Sequence, residues 1–409
     1  MKKYNKILAV LTAITMSLVP LFCGFFVASG EVATEFLNDD LLTDIPPIPA
    51  AATVDTALNI KAKSYCLMEP RTGKMLYESN SNERVAPASI TKIMTLLIVM
   101  EAIENEVLTL GTKVTASDHA ASMGGSQIWL EPHEEMTVDE LLRASVIASA
   151  NDATVALAEA VSGSEEAFVS LMNERAKELG MKNTTFKNAC GLDEEGHLTT
   201  ANDVAIMASA LIKHNLIKKY STVWMDALRG GKSELTNTNK LVRYYSGATG
   251  LKTGTTSKAG CCVAATAERD GMELVAIVMG GETSNERFTG AKKLLDYGFA
   301  NWSFLSLSPD LKDLKSISIS KGMQKSISPD SDGGAINLLL PKGKQDKITQ
   351  TIELNKNIEA PIKSGDVIGK VVFLLDEKEL GELPIYSANT VEKVTFLNAL
   401  GLILTNALK

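Results

Sequence analysis

Ser89 and Lys92 stand three positions apart at the head of a long apolar run, Ile93 to Met100. On a helix, that spacing puts both side chains on one face, one turn apart. A serine hydroxyl becomes a nucleophile when a base takes its proton. A lysine amine against an apolar wall can be that base, because burial lowers its pKa. The start of a helix also offers free backbone N–H groups that suit a developing negative charge. Ser89 and Lys92 are therefore a candidate nucleophile and base. Two more short patterns follow, Ser149-Ala-Asn151 and Lys252-Thr253-Gly254. None is specific alone. Ser318-Ile-Ser-Lys321 repeats the first, Ser387-Ala-Asn389 repeats the second, and Arg71-Thr-Gly73 nearly repeats the third. Context separates the sets. Ser89 opens a buried helix, Ser149 ends one helix before another begins, and Lys252 lies on a strand, so each can reach the edge of one cleft.

The elements that must hold these residues follow from pattern. Ala62–Met68 and Lys74–Glu78 are strand-like and are joined by a turn, Glu69-Pro-Arg-Thr-Gly73. The next helix is apolar nearly all round, which marks it as buried. Helices fill the middle of the chain. Thr137-Val-Asp-Glu140 reads as a capping box before one ending at Ser149. Others run from Ala153 to Val161, Glu165 to Gly180 and Asp203 to Leu211. Asp152 is expected to cap the helix that follows it. Strands return at Leu251–Thr256, Cys261–Ala267 and Glu273–Met279, and an amphipathic helix, Arg287–Phe299, follows. Strands, then helices, then strands again predict an α+β domain over residues 56–305, with one antiparallel sheet flanked by helices. Residues 306–390 hold short alternating stretches between turn residues and predict a small all-β domain. Val391 to Leu408 predicts an amphipathic helix, too short and too interrupted to span a bilayer well. It lies in a membrane interface or docks on the protein.

Composition narrows the function classes. The chain has 409 residues, 45% hydrophobic and 22% charged, with a net charge of −8. The acidic balance and the lack of a Lys/Arg stripe argue against nucleic acid. Lys2, Lys3 and Lys6 precede an apolar stretch, Ile7 to Val27, and small residues follow, which is the form of a signal peptide over residues 1–30. An uncleaved anchor is the alternative. Phe22 before Cys23 is too bulky for a lipidation site. Residues 31–55 are acidic and proline-bearing and read as a loose lead-in. Cys66, Cys190, Cys261 and Cys262 lack zinc-like spacing and read as small core residues, with a Cys66–Cys190 bridge left open.

The ordered motifs resemble those of the serine DD-peptidase and β-lactamase superfamily, and most closely the low-molecular-weight D-alanyl-D-alanine carboxypeptidases. Further stretches resemble that family: Val85–Lys92, Val146–Ala153, Gly191-Leu-Asp193 with His197, Asn237–Leu241 and Gly250–Thr256. The resemblance implies an acyl-enzyme on Ser89, formed from a peptidoglycan stem peptide ending in D-Ala-D-Ala, with β-lactams as acylating inhibitors. It implies Lys92 as base and the N–H groups of Ser89 and Thr255 as oxyanion hole. It implies Ser149 as proton donor to the leaving amine and Asn151 as holder of substrate and Lys92. Lys252 would supply positive charge, and the Thr253 and Thr255 hydroxyls would bind the substrate carboxylate beside Gly254. No cofactor or metal is implied, and the setting is the outer face of the cytoplasmic membrane. Thr238 stands where some relatives carry a basic residue, so part of the carboxylate recognition must come from elsewhere; Arg243 is one guess. His197 reads as a loop residue because Lys92 fills the base role. A β-lactamase of class A would need a Glu-x-x-Leu-Asn loop, which is missing between Asn151 and Lys252. A transpeptidase differs only in the acyl acceptor, and a non-catalytic sensor or wall scaffold would not need all of these residues.

Overall fold

The computed structural model describes residues 58–407. The predicted signal peptide and the lead-in both lie outside the described residues. The first domain is built on strands β1 (Ser64–Glu69), β2 (Lys74–Ser79), β3 (Ala248–Thr256), β4 (Gly260–Arg269) and β5 (Met272–Gly281). They form a five-stranded antiparallel sheet in the order β2-β1-β5-β4-β3, so the two ends of the domain meet at β1 and β5. The central strands are apolar on both faces because both faces are covered. Cys66, Cys262, Ala264, Val275 and Ile277 turn to the side of the middle helices. Their neighbours Leu67, Val263, Ala265, Leu274 and Ala276 turn to the other side. This is the period-two alternation of a strand, with both sets dry.

The helices of the middle segment are α1 (Lys92–Glu104), α2 (Val138–Arg143), α3 (Asn151–Ser162), α4 (Glu165–Glu178) and α5 (Ala201–Ile212). Helix α1 buries ten of its thirteen residues, Lys92 among them. Thr137 and Glu140 form the predicted capping box at α2. On the far face of the sheet lies α6 (Ser284–Asn301), which buries Ala291, Leu294, Leu295 and Phe299.

Strand β6 (Trp302–Leu307) runs straight on from α6 and pairs with β7 (Ile336–Pro341). A second sheet contains β8 (Ile348–Leu354), β9 (Val367–Leu375) and β10 (Lys378–Ser387), paired antiparallel in that order. Lys74 and Arg71, at the first hairpin, stack on Trp302 and Phe304 of β6 at 4.5 Å each. Of the alternating stretch Lys315–Ser320, only Ile317–Ser318 forms a strand. Strand β10 carries Gly381 and Pro384, which hide its alternation in the sequence.

The terminal helix α7 (Phe396–Ala407) starts five residues later than the sequence pattern places it. Val391 instead exchanges backbone hydrogen bonds with Ile362 and is buried. The helix begins where Thr395 and Asn398 can cap it reciprocally: Thr395 N–H donates to Asn398 Oδ1 at 2.6 Å, and Asn398 N–H to Thr395 Oγ1 at 3.4 Å. Phe396, Leu397 and Leu400 stand exposed on it. No described helix is long and apolar enough to cross a membrane. All four cysteines from Cys66 to Cys262 are free thiols, which removes the Cys66–Cys190 bridge.

Candidate active site

Ser89 does not sit inside the long helix. It lies in a single 3₁₀ turn, Ala88–Thr91, and α1 begins at Lys92. Ala88 just before it has a positive φ of 49°. The turn is braced from within, where the Thr91 hydroxyl donates to Ala88 O at 2.9 Å. It is braced from outside by two glycines. A Cβ on Gly191 would stand 1.9 Å from Ala88 O, and one on Gly254 would stand 2.9 Å from Ser89 N. The loop at Gly191 and strand β3 therefore press directly on the Ser89 turn, which only glycine permits.

Lys92 Nζ is fully buried and lies 3.1 Å from Ser89 Oγ. It also lies 2.5 Å from Asn151 Oδ1 and 2.7 Å from Cys190 O. Burial pushes the amine down from its usual range to about 8, against the opposing pull of Cys190 and the Asp152 charge. All three partners are oxygens that can accept, so the ammonium donates to each. Once deprotonated, the amine can keep its two N–H bonds to the carbonyl oxygens and turn its lone pair to the Ser89 hydroxyl.

The Ser149-Ala-Asn151 stretch sits where one helix breaks and another starts. Helix α2 runs on as a π turn through Ala148, and Ser149 reverses the chain with a left-handed φ of 62°. Asn151 then opens α3. Its amide is gripped at both ends: Nδ2 donates to Gly124 O at 2.6 Å while Oδ1 faces Lys92. The Ser149 side chain is buried beside it but makes no bond to Ser89 or Lys92. Asp152 is not the expected cap. It lies within the first turn of α3, and besides taking the Ala153 N–H at 2.8 Å it accepts the N–H groups of Ile128 and Leu130. It ties the loop before α2 to the site.

On β3, Lys252 is buried, and its one hydrogen bond among the described residues is to Thr253 O at 3.2 Å. Burial, then the like charges of Lys92 and Arg287, hold its amine well below the ordinary lysine range. Thr253 donates its hydroxyl to Thr238 at 2.7 Å. Thr238 is presented by the flanking asparagines: Asn237 Oδ1 accepts the Asn239 N–H, and Asn239 Oδ1 accepts the Leu241 N–H. Gly254 packs on Ser89, and Thr255 faces Arg287.

Arg287 is the residue that motif reading misses. From α6 its Nη1 reaches Thr255 Oγ1 at 2.9 Å and Gly254 O at 3.0 Å. It falls on the buried stripe of α6, in register with Ala291 and Leu294, and a basic residue on an apolar stripe was the signal available in the sequence. Arg243 is exposed and stacks on Trp224 and Tyr244 instead. His197 is buried and takes no part in the Ser89–Lys92 contact. Its Nε2 lies 2.9 Å from Thr91 Oγ1, whose proton is already given to Ala88 O, so the ring donates from Nε2. Burial pushes His197 down to about 4.

A serine beside a desolvated amine, in a sheet flanked by helices, is the arrangement of a serine acyl-transfer enzyme. The D-alanyl-D-alanine carboxypeptidase family model matches residues 50–283, more than half of the chain, and the C-terminal domain model of penicillin-binding protein 5 matches residues 312–393. The chain belongs to the D-alanyl-D-alanine carboxypeptidase family. It is 44% identical to D-alanyl-D-alanine carboxypeptidase DacF of Bacillus subtilis, over 83% of this chain and 88% of that one. Penicillin binding protein 5 from Haemophilus influenzae superposes with a TM-score of 0.66 at 32% identity, covering 82% of this chain and 98% of the other. Penicillin-binding protein D2 from Listeria monocytogenes, solved with cefotaxime bound, matches 59% of this chain and 98% of its own, at 32% identity and a TM-score of 0.54.

Proposed function

We propose that this serine D-Ala-D-Ala carboxypeptidase uses Ser89 as its nucleophile and Lys92 as the base. The observation that carries the assignment is the Lys92 amine, buried, fixed by two carbonyl oxygens and 3.1 Å from Ser89 Oγ. Ser89 Oγ attacks the carbonyl of the penultimate D-alanine of a stem peptide while Lys92 takes its proton. The N–H groups of Ser89 and Thr255 receive the oxyanion; the close packing of Gly254 on Ser89 N supports this pairing. Ser149 passes a proton to the departing D-alanine amine, and water then hydrolyses the acyl-enzyme. Asn151 orients Lys92 and the acyl side of the substrate.

The Thr253 and Thr255 hydroxyls bind the terminal carboxylate, with Thr238 and Arg287 behind them. Lys252 complements its charge. An arriving carboxylate raises the depressed Lys252 pKa and so favours the ammonium that binds it. β-Lactams acylate the same serine, a reading supported by the cefotaxime-bound relative. The N-terminal segment exports the protein, and exposed Phe396, Leu397 and Leu400 seat α7 on the outer face of the membrane.

The test is release of free D-alanine from a D-Ala-D-Ala-terminated peptide by the purified protein, with mass spectrometry after benzylpenicillin. The adduct is expected on Ser89, and Ser89→Ala should lose both adduct and release. A folded wild-type protein that is acylated elsewhere, or releases no D-alanine, refutes the reading.

A further inference from the structure

Behind the Lys92 amine runs a second layer of hydrogen bonds. Cys190, whose carbonyl accepts from Lys92 Nζ, follows a residue pinned at both ends. Ala189 O accepts the Thr95 hydroxyl of α1 at 2.6 Å, and Ala189 N–H donates to Glu165 Oε1 at 2.8 Å. Within the loop, Asn188 Oδ1 accepts the Gly191 N–H at 2.7 Å, the other end of the Cys190 peptide. Glu165 is the first residue of α4, behind the Ser164 cap. An acid in a first turn usually faces water and is explained by the helix dipole. This one is 9% exposed and turns inward, and its second oxygen meets His119 Nε2 at 2.6 Å.

We propose that Glu165 is a positioning residue for Lys92: by holding the Ala189 N–H it fixes the Cys190 carbonyl on the amine, while His119 steadies the carboxylate from the solvent side. The proposal rests on Lys92 being the base. The neutral amine needs both carbonyl acceptors in place for its lone pair to point at Ser89. Asn188 sets the tilt of the Cys190 peptide inside the loop. Thr95 of α1 and Glu165 of α4 tie that loop to the helical body, one at each end of Ala189.

The experiment uses the full-length protein and follows the rate of acylation by a fluorescent penicillin as a function of pH. The titratable groups acting on Lys92 are Cys190, Asp152 and Lys252, and those around His119 are Glu165, Glu159 and Glu166. Only Glu165 is changed. Glu165→Ala is expected to slow acylation at least ten-fold. It should also displace the acid limb toward lower pH by half a unit or more, because a displaced Cys190 carbonyl no longer favours the ammonium. Glu165→Gln keeps an oxygen for the Ala189 N–H and should return both quantities to within three-fold and a few tenths of a unit. If Glu165→Ala fails to fold, Glu165→Asp, one methylene too short to reach, should give a three- to ten-fold loss with the same limb shift. Rates within three-fold of wild type in Glu165→Ala, or a uniform loss with an unmoved limb, overturn the proposal. Mass spectrometry of the wild type separates this from failure of the site assignment: Ser89 acylated, with insensitive Glu165 variants, sinks only the positioning role.

Discussion

Gly191→Ala tests whether the Ser89 turn is held in place by close packing. Gly191 has φ +90°, and its Cβ would stand 1.9 Å from Ala88 O, 2.4 Å from Ala88 C and 2.9 Å from Ser89 N. All three contacts are backbone, so no side chain can swing aside. Restoring ordinary contact distances needs a relative movement on the order of 1 Å or more. A misplacement of about 1 Å at a reacting centre costs about 10²-fold in rate. The expected loss in acylation and D-alanine release is therefore roughly 10²-fold, equivalent to ~2.7 kcal/mol.

The substitution also forces an alanine into left-handed backbone, which costs about 1–2 kcal/mol of stability wherever it occurs. Gly196→Ala isolates that cost. Gly196 lies in the same loop with φ +78°, and its Cβ would meet nothing nearer than Lys187 Cε at 3.4 Å. Thermal unfolding and stopped-flow acylation of the pair separate the two effects. Both variants should melt earlier, and only Gly191→Ala should lose activity. If Gly191→Ala acylates within three-fold of wild type while still folded, the Ser89 turn is not positioned by this contact.

Two further predictions concern pH and the C-terminus. Lys92 must be neutral to accept the Ser89 proton, and its folded-state value sits at about 8. The rate should therefore rise with pH through about 8, and kcat/KM profiles that are already flat from pH 6 upward would contradict the assignment. Removing residues 396–409 takes away exposed Phe396, Leu397 and Leu400. It should leave hydrolysis of a soluble peptide unchanged and release the protein from sedimenting lipid vesicles; continued sedimentation would place the membrane contact elsewhere.

The sheet, its helical layers and the order of the three motifs were legible in the sequence because they rest on periodicity and side-chain type. Apolar runs on β4 and β5, caps at α2 and glycine-bearing turns are properties of neighbouring residues, and pattern reads them directly. What escaped was set by contacts between distant segments. The start of α7 depends on Val391 finding Ile362, a pairing that no local propensity encodes. The Ser89 turn departs from the helix that its spacing suggests because Gly191 and Gly254 close on it from two remote parts of the chain.

The site shows the same division in sharper form. Ser89, Lys92 and Asn151 carry recognisable side chains, yet the second oxygen that fixes Lys92 is the backbone carbonyl of Cys190, which any residue could supply. Residue identity there says nothing; the loop path says everything, and that path is set by Gly191, Asn188 and Glu165. Arg287 is the intermediate case. Its side chain is informative, but its meaning comes from lying on the buried stripe of α6 opposite the Gly254 carbonyl. Motif order therefore names the candidate reacting groups, whereas the geometry that holds the Lys92 amine at Ser89 draws on a backbone oxygen and the close approaches that glycine allows. Substitutions at Gly191 or Glu165 should consequently slow the enzyme with every motif residue intact.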